Sequence, residues 1–327
     1  MALAVIALFL QSCDEKGVSL KKTVTGKAGE VIVVSDKGNW EAEPGTALRN
    51  LLAVDYPLLP QKEPSFNLIN IPKSNFSDLF KSHRNIIILT ISSSIAEPKV
   101  SMERDKWAQP QLVIYIESPD REGATEVIEK NSELIFNAID QIEKDRIIRN
   151  AKRYEETGLR PLVAETFGGS PYFPNGYSLK KHTKDFIWIS YETTYTNQGV
   201  LIYTIPYDGK NFPSLDSLIS AQNEVLKNNV PGMLEGSYMT TGTEIAPVMK
   251  NYKYKGENFV EVRGLWEVAN DYMGGPFVEH VFYSKEQGKL LVVEGFVYAP
   301  RYKKRNYLRQ VEAIIYSFDW AENFLNK

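Results

Sequence analysis

Residues 264–318, which indicate the fold most clearly, read GLWEVANDYMGGPFVEHVFYSKEQGKLLVVEGFVYAPRYKKRNYLRQVEAIIYSF. Residues 278–283 and 290–298 are rich in β-branched and aromatic residues, and a polar turn at residues 285–288 separates them, which predicts a β-hairpin. After Pro300, apolar residues recur at the three- and four-residue spacing of one helix face. These residues are Tyr307, Leu308, Val311, Ile314, Ile315 and Phe318. A hairpin followed by such a helix predicts a sheet with a helix packed on it.

Length and composition restrict the class of protein. The 327 residues, of which 43% are apolar, are enough for two domains with sizeable cores. A net charge of −3 argues against a nucleic-acid partner, because general nucleic-acid binders are usually strongly basic. The single cysteine excludes an intramolecular disulfide, and three histidines far apart make a histidine metal site improbable. We predict neither a metal nor another cofactor.

The beginning of the chain carries the most specific signal. Residues 1–10 are apolar but too short to span a bilayer as a helix, and they resemble the apolar region of a secretory signal. Leu-Gln-Ser-Cys at residues 10–13 resembles the bacterial lipobox, in which the cysteine is acylated and becomes the new N-terminus. We therefore predict a lipoprotein signal peptide at residues 1–12, and membrane attachment through lipid, such as palmitate, on Cys13. The alternative is a buried strand with an ordinary cysteine.

The rest of the chain divides by composition. Polar residues with three glycines predict a flexible tether at residues 13–29. An N-terminal domain, residues 30–158, is expected to end in a long helix at residues 122–154, whose apolar residues form one stripe. A C-terminal domain follows at residues 159–327. We predict an α+β fold with two domains, each a mainly antiparallel sheet with helices packed on one face.

Several short sequence motifs resemble those of one known family. They are GLW at residues 264–266, MGGPF at 273–277, EGFVYAP at 294–300, RQVEAI at 309–314, WAQPQ at 107–111, and residues 203–207. Together with the lipobox they resemble the domain of unknown function 4837 family of Bacteroidetes envelope lipoproteins, over nearly the whole mature chain. The resemblance implies a lipoprotein of the outer membrane, periplasmic or surface-exposed. It supplies no activity, ligand or catalytic residue.

Motifs for common enzyme chemistry are missing from the sequence. It has no Gly-x-Ser-x-Gly elbow, no His-Glu-x-x-His helix, no P-loop and no Gly-x-Gly-x-x-Gly. Acylated Cys13 cannot act as a thiol nucleophile, and we predict no catalytic residue. Carboxylate chemistry stays open, because a pair of acids can come from distant strands. The candidates, for which the alternative is a solvent-facing strand position, are Glu192, Glu267, Asp271, Glu279 and Glu294.

Two groups of residues are candidates for binding. Gly274 and Gly275, close to Trp266, could form a loop that exposes backbone N–H groups to an anion or peptide. The alternative is a tight turn packed under Trp266. A basic cluster at the start of the last helix is a candidate site for phosphate-bearing lipid or glycan, because helix N-termini bind anions. It consists of Arg301, Lys303, Lys304, Arg305 and Arg309, and the alternative is a solvated surface.

Two functions from different classes remain on sequence grounds. The first is a lipid-anchored, non-catalytic module that binds an envelope partner, either a protein or a glycan. The second is a carboxylate-dependent hydrolase of an envelope polymer. A deep pocket with two inward carboxylates roughly 5–10 Å apart would favour the hydrolase. An aromatic surface would favour the binding module.

Overall fold

The computed structural model describes residues 21–284 and 288–323. The strands are β1 Lys22–Thr23, β2 Glu30–Val34, β3 Asn67–Ile71, β4 Asn85–Ile91, β5 Lys99–Arg104, β6 Ala108–Gln109, β7 Leu112–Ser118, β8 Gly169–Ser170, β9 Ser178–Thr183, β10 Phe186–Glu192, β11 Asn197–Pro206, β12 Tyr238–Thr241, β13 Val248–Tyr254, β14 Glu257–Ala269, β15 Gly274–Tyr283, β16 Lys289–Tyr298 and β17 Asp319–Trp320. The helices are α1 Lys37–Trp40, α2 Glu43–Leu52, α3 Asp78–Lys81, α4 Arg121–Lys130, α5 Ser132–Arg153, α6 Leu159–Phe167, α7 Leu215–Asn229 and α8 Arg305–Tyr316. The predicted α+β class is confirmed.

The N-terminal sheet has the strand order β3-β2-β4-β7-β5. Strands β3, β2, β4 and β7 are parallel, and the edge strand β5 is antiparallel. Helices α2, α4 and α5 cover one face, and aromatic side chains cover the other. Continuous apolar runs such as Val31 to Val34 are buried on both faces, as is typical of parallel strands. The prediction of a mainly antiparallel arrangement is therefore wrong for this sheet.

The C-terminal sheet is antiparallel throughout, with the order β12-β14-β15-β16-β11-β10-β9. Strand β13 pairs with the other half of the long strand β14. Helices α6 and α8 pack on one face, and α7 packs on the other. The prediction of helices on one face holds for the three main helices of the N-terminal sheet. For the C-terminal sheet the prediction of helices on one face is wrong, because β11 and β16 are apolar on both faces and each face is covered by helices.

The predicted hairpin and closing helix are present as β15, β16 and α8. Leu308, Val311, Ile314 and Ile315 are buried and Tyr307 is half-buried, so the predicted helix face is confirmed. This face lies on β16, β11 and β15, while another side of α8 packs against α5. Residues 285–287 of the predicted turn lie outside the described residues.

The predicted long helix is divided in two at Asn131. The Asn131 side chain donates a hydrogen bond to the Val127 carbonyl at 2.8 Å, and the backbone N–H of Asn131 donates to the same carbonyl at 3.2 Å. A side chain that competes for backbone groups in this way favours a helix end. Helix α5 therefore starts anew at Ser132, and it packs against both the N-terminal core and α8.

The predicted tether is too long at its C-terminal end. Strand β1 pairs in parallel with β6, and the Thr25 N–H donates to the Ser82 carbonyl at 2.8 Å. Gly29 has a φ of 76° and its N–H donates to the Glu143 carboxylate at 3.3 Å. Residues 1–20, which include the predicted signal peptide and Cys13, lie outside the described residues. No helix in the described part of the chain has the length and apolar character needed to cross a membrane.

Candidate functional site

The N-terminus of α8 does bind an anion, but the anion is a side chain of the protein. The carboxylate of Glu63 accepts hydrogen bonds from the backbone N–H of Lys304 at 2.5 Å and of Arg305 at 3.3 Å. Lys304 and Arg305 are buried, and the Arg305 guanidinium donates to the Pro64 carbonyl at 2.5 Å. For these two residues the alternative of a solvated surface is wrong, because a distant acidic residue caps the helix and both side chains are buried.

The other members of the basic cluster point in separate directions. Arg309 is buried, contacts Asp140 at 3.3 Å and lies 4.4 Å from the ring centre of Phe66. Arg301 lies over the ring of Tyr195 at 4.5 Å, and Lys303 is exposed. The structure therefore does not bring the five residues together around one external anion.

Gly274 and Gly275 lie in β15 and do not form an exposed loop. A side chain at Gly275 would place its Cβ 2.0 Å from the Val297 carbonyl oxygen. The Trp266 indole N–H donates to that same carbonyl at 3.2 Å, and Trp266 is buried. The glycines allow the strand to pass close to its neighbour under Trp266. The proposed binding loop is therefore wrong, and the packing alternative is correct in substance, although the residues form a strand and not a turn.

Two of the five candidate carboxylates do meet. Glu279 and Glu294 are directly opposite each other on β15 and β16 and are fully buried. The Tyr203 hydroxyl lies 3.3 Å from Glu279 Oε2 and 3.1 Å from Glu294 Oε2. Burial raises the pKa of both groups, that of Glu294 to about 7, and the facing Glu294 raises the pKa of Glu279 further. Neither side chain lines a described cavity.

The other three candidate carboxylates stay apart. Glu192 is exposed and pairs with Lys180 at 2.9 Å. Glu267 is half-buried in β14, and the Asp271 carboxylate accepts a hydrogen bond from the Tyr272 N–H at 2.7 Å. No group of three or more His, Cys, Asp or Glu within the described ranges could hold a metal ion.

A cleft between the two sheets brings charged and aromatic side chains of both halves of the chain together. It has a volume of about 610 Å³ and lies between α5, α8 and the β13–β14 hairpin. We call it the central cleft. Its floor is formed by Tyr56, Lys144, Arg263, Glu312 and Tyr316, and its rim by Arg104, Tyr252, Lys253 and Tyr254.

A chain of ion pairs and hydrogen bonds joins the floor residues. The Arg263 guanidinium contacts Glu261 at 2.6 Å and Glu312 at 2.8 Å, so it holds two buried carboxylates. Lys144 lies 3.5 Å from Glu312, and the Tyr56 hydroxyl donates to Glu312 at 2.5 Å. Tyr56 and Lys144 belong to the N-terminal part of the chain, so this network connects the two halves of the structure.

A second branch of the network surrounds Glu261. The Tyr316 hydroxyl donates to Glu261 at 2.9 Å, and His280 Nε2 lies 3.3 Å from the same carboxylate oxygen. Lys144 also lies 3.5 Å from the ring centre of Tyr316, within the range of a cation–π contact. Glu279 and His280 thus point to opposite faces of β15, as neighbours in a strand do.

The charged side chains on the floor of the cleft neutralise one another. Burial alone would raise the pKa of Glu261, but Arg263 and the hydrogen bond from His280 lower it to about 2. Burial likewise opposes ionisation of Glu312, and the cations Arg263 and Lys144 outweigh it and lower the pKa. Burial lowers the pKa of His280, so its ring is neutral at neutral pH. Two anions face two cations, and both tyrosine protons are donated to carboxylates.

The rim of the cleft differs from its floor. Tyr252 is 38% exposed and its ring stacks on Phe259 at 6.0 Å. The Tyr254 hydroxyl accepts a hydrogen bond from Gln141 at 3.2 Å. Among the residues that the structure describes, Lys253 has no ion-pair partner. The rim is therefore aromatic and cationic, and part of its charge is free.

Sequence reasoning missed the floor of the cleft. Its residues come from four distant parts of the chain, and no short motif connects them. One local signal was available. Glu261 and Arg263 are two positions apart in a strand, so their side chains share a face, and a charged pair inside an apolar strand indicates a buried network.

Two family models match the chain, each over less than half of it. Residues 158–317 match the domain of unknown function (DUF4837), and residues 24–152 match another domain of unknown function (DUF8532). The resemblance to the first family was expected over nearly the whole mature chain. That extent is corrected, because the N-terminal half matches a different model. No curated protein matches the chain.

Solved structures resemble parts of the chain at low similarity. LpqN, described as involved in cell envelope biogenesis of Mycobacterium tuberculosis, is 11% identical over 46% of this chain and 81% of its own, with a TM-score of 0.27. The human StarD13 (DLC2) lipid transfer and protein localization domain is 10% identical over 50% of this chain and 95% of its own, with a TM-score of 0.22. The chain is thus composed of two regions that match domains of unknown function, DUF8532 followed by DUF4837.

Proposed function

We propose that this protein is a lipoprotein of the outer membrane, anchored through lipid on Cys13, and acts as a non-catalytic binding module of the cell envelope. Leu-Gln-Ser-Cys after an apolar run supports the anchor and the location. The central cleft holds the partner, which is an envelope protein or glycan. Its rim supplies the aromatic surface that favours binding over hydrolysis.

A non-catalytic function is supported because the glutamates with a raised pKa are not accessible to a substrate, and the accessible one has a lowered pKa. A hydrolase with two carboxylates needs one of them protonated at working pH and within reach of the substrate. Glu279 and Glu294 have raised pKa values but are fully buried. Glu312 lines the cleft, but its pKa is lowered and its oxygens are paired with Arg263, Lys144 and Tyr56. For this reason the hydrolase is not the function we propose.

The rim determines which partner fits. Tyr252 and Tyr254 present rings at the mouth of the cleft, and aromatic residues are enriched at protein interfaces because they bury large areas. The free ammonium group of Lys253 adds positive charge beside them. An acidic segment of a protein, or an acidic glycan, complements this combination.

Recovery of the partner from native membranes tests the assignment to the cleft. Tyr252→Ala with Lys253→Glu should abolish recovery of a partner that the wild type captures. The matched control is Tyr272→Ala with Lys210→Glu, since Tyr272 is fully exposed and Lys210 lies at the surface away from the cleft. If both double variants capture the partner as well as the wild type does, the cleft is not the binding site.

The anchor is tested separately with Cys13→Ala. Loss of the acylated side chain should move the protein from the membrane fraction to the soluble fraction, because stable attachment requires buried acyl chains. Mass spectrometry of the wild type should find acyl mass on Cys13. Membrane retention of the variant, together with an unmodified cysteine in the wild type, would rule out the lipoprotein assignment.

A further inference from the structure

We propose that a second cavity, on the opposite side of α5 from the central cleft, binds an acidic sugar. The cavity has a volume of about 360 Å³, which is within the range of small-molecule sites. It lies between the start of β4, helices α5 and α8, and the ends of β10 and β11 that their turn connects. We call it the arginine–amide pocket, after Arg84, Asn150, Asn175, Gln198 and Gln310 in its lining.

Four carboxamide side chains belong to the lining of this pocket. Within residues 21–284 and 288–323, no hydrogen-bond partner is found for the side chains of Asn150, Asn175, Gln198 and Gln310. Gln198 is only 4% exposed, and its buried Oε1 has no partner in the described chain. A buried acceptor that is left unpaired costs free energy. A ligand that donates a hydrogen bond to Gln198 would remove this cost.

The charge of the pocket wall is positive. Glu143 Oε1 lies 2.9 Å from Arg84 Nε and 2.7 Å from a terminal nitrogen of Arg146, so two guanidinium groups share one carboxylate. The Nε and the other terminal nitrogen of Arg146 donate hydrogen bonds to the carbonyls of Pro110 and Arg84. For the terminal nitrogens of Arg84, the described residues provide no partner. This fork is free to bind a carboxylate through two parallel hydrogen bonds.

Two tyrosines supply the apolar side of the pocket. The rings of Tyr177 and Tyr191 are 5.8 Å apart and tilted by 33°. Tyr177 is buried, while Tyr191 is 37% exposed. An aromatic surface of this kind packs against the apolar C–H face of a sugar ring.

The combination of groups selects the ligand class. A carboxamide presents both a donor and an acceptor, as does a sugar hydroxyl, so several carboxamides together match several hydroxyls. The free fork of Arg84 adds a requirement for a carboxylate. A simple anion would leave the amides and the rings unused, and a neutral sugar would leave Arg84 unpaired. A polyhydroxylated acid satisfies all three features.

This site is independent of the central cleft, since the two cavities share no lining residue. Helix α5 separates them: Asp140, Gln141 and Lys144 line the cleft, whereas Arg146 and Asn150 line the pocket. The inference therefore goes beyond the proposed function, and each can fail without the other. The cleft variant Tyr252→Ala with Lys253→Glu should leave binding in the pocket unchanged.

Titrations followed by ligand-observed NMR provide the test, with D-glucuronate, D-glucose and acetate as probes on the full chain. The wild type should bind glucuronate more tightly than either glucose or acetate. Asn175→Ala with Gln310→Ala should weaken glucuronate binding about tenfold, the effect of one to two lost hydrogen bonds. Both residues are exposed and unpartnered among the described residues, so folding should survive. Asn211→Ala with Asn251→Ala, also exposed, is the matched control and should bind as the wild type does.

Arg84→Gln tests how much the positive charge of the pocket contributes to binding, because it replaces the guanidinium group with a neutral polar group. This change should lower the affinity for glucuronate to that for glucose and leave glucose binding as it was. Three results would overturn the inference: no binding of glucuronate by the wild type, equal binding by the Asn175→Ala/Gln310→Ala variant, or acetate binding as tight as glucuronate binding. The exposed double variant should keep its fold, so the test does not depend on the stability of Arg84→Gln.

Discussion

Glu279 and Glu294 are fully buried glutamates whose pKa values are raised by burial. They face each other in the core beneath α7, with the Tyr203 hydroxyl within reach of both. One hydroxyl proton cannot satisfy two carboxylates, and Glu294 Oε1 has no hydrogen-bond partner among the described residues. Two buried carboxylates that contact the same hydroxyl group cannot both ionise at neutral pH. The pair therefore retains a proton in the folded protein.

This retained proton makes stability depend on pH. The unfolded chain releases it near the ordinary glutamate value of 4.5, whereas the folded protein holds it to about pH 7 or above. A raised pKa in the folded state gives stability that is complete below about pH 4.5 and is lost as the pH rises. We expect the free energy of unfolding to fall by on the order of 3 kcal/mol between about pH 5 and about pH 8.

Glu294→Gln should make this fall smaller, because one of the two titrating groups is gone. Denaturant unfolding at both pH values measures it, with the exposed Glu257→Gln as control. A pH dependence that is unchanged in Glu294→Gln would show that the pair holds no extra proton.

At the scale of elements, α8 is where sequence and structure agree best. Ile314 is 1% exposed and packs in the core shared with β11, β15 and β16. Ile314→Ala should cost about 2–5 kcal/mol, because the lost methyl groups leave a cavity. Gln310→Ala, one turn earlier and exposed, should change stability by less than about 0.5 kcal/mol. Urea unfolding of the two variants measures the difference, and equal stabilities would contradict the burial of this helix face.

The elements that could be predicted had local causes. The face of α8 follows from the spacing of its apolar residues, and the β15–β16 hairpin follows from its β-branched runs. The break at Asn131 was missed because one asparagine does not interrupt an apolar stripe. The parallel order of β3, β2, β4 and β7 was missed because an apolar strand reads the same in either direction. The cap on α8 comes from Glu63, which is 241 residues from Lys304, and no sequence pattern indicates such a contact.

At the scale of the whole molecule, the two halves of the chain meet through charged side chains. Tyr56 and Lys144 contribute from the half that matches DUF8532, and Arg263 and Glu312 from the half that matches DUF4837. A buried network of this kind is costly to break, because each charge left alone loses its partner in a low-dielectric site. The predicted domain boundary near residue 158 stays a prediction. The sites that this junction creates, the central cleft and the arginine–amide pocket, could not be predicted from either half alone.

Crosslinking in living cells tests the binding role of the cleft most directly. A photoreactive phenylalanine analogue at position 252, on the rim, should form an adduct of defined mass with one envelope partner. The adduct should weaken when Lys253 is changed to Glu, since the free ammonium group attracts the partner. The same analogue at the fully exposed position 272 should give no such adduct. Adducts of equal yield at both positions, or none at position 252, would contradict a partner site at the central cleft.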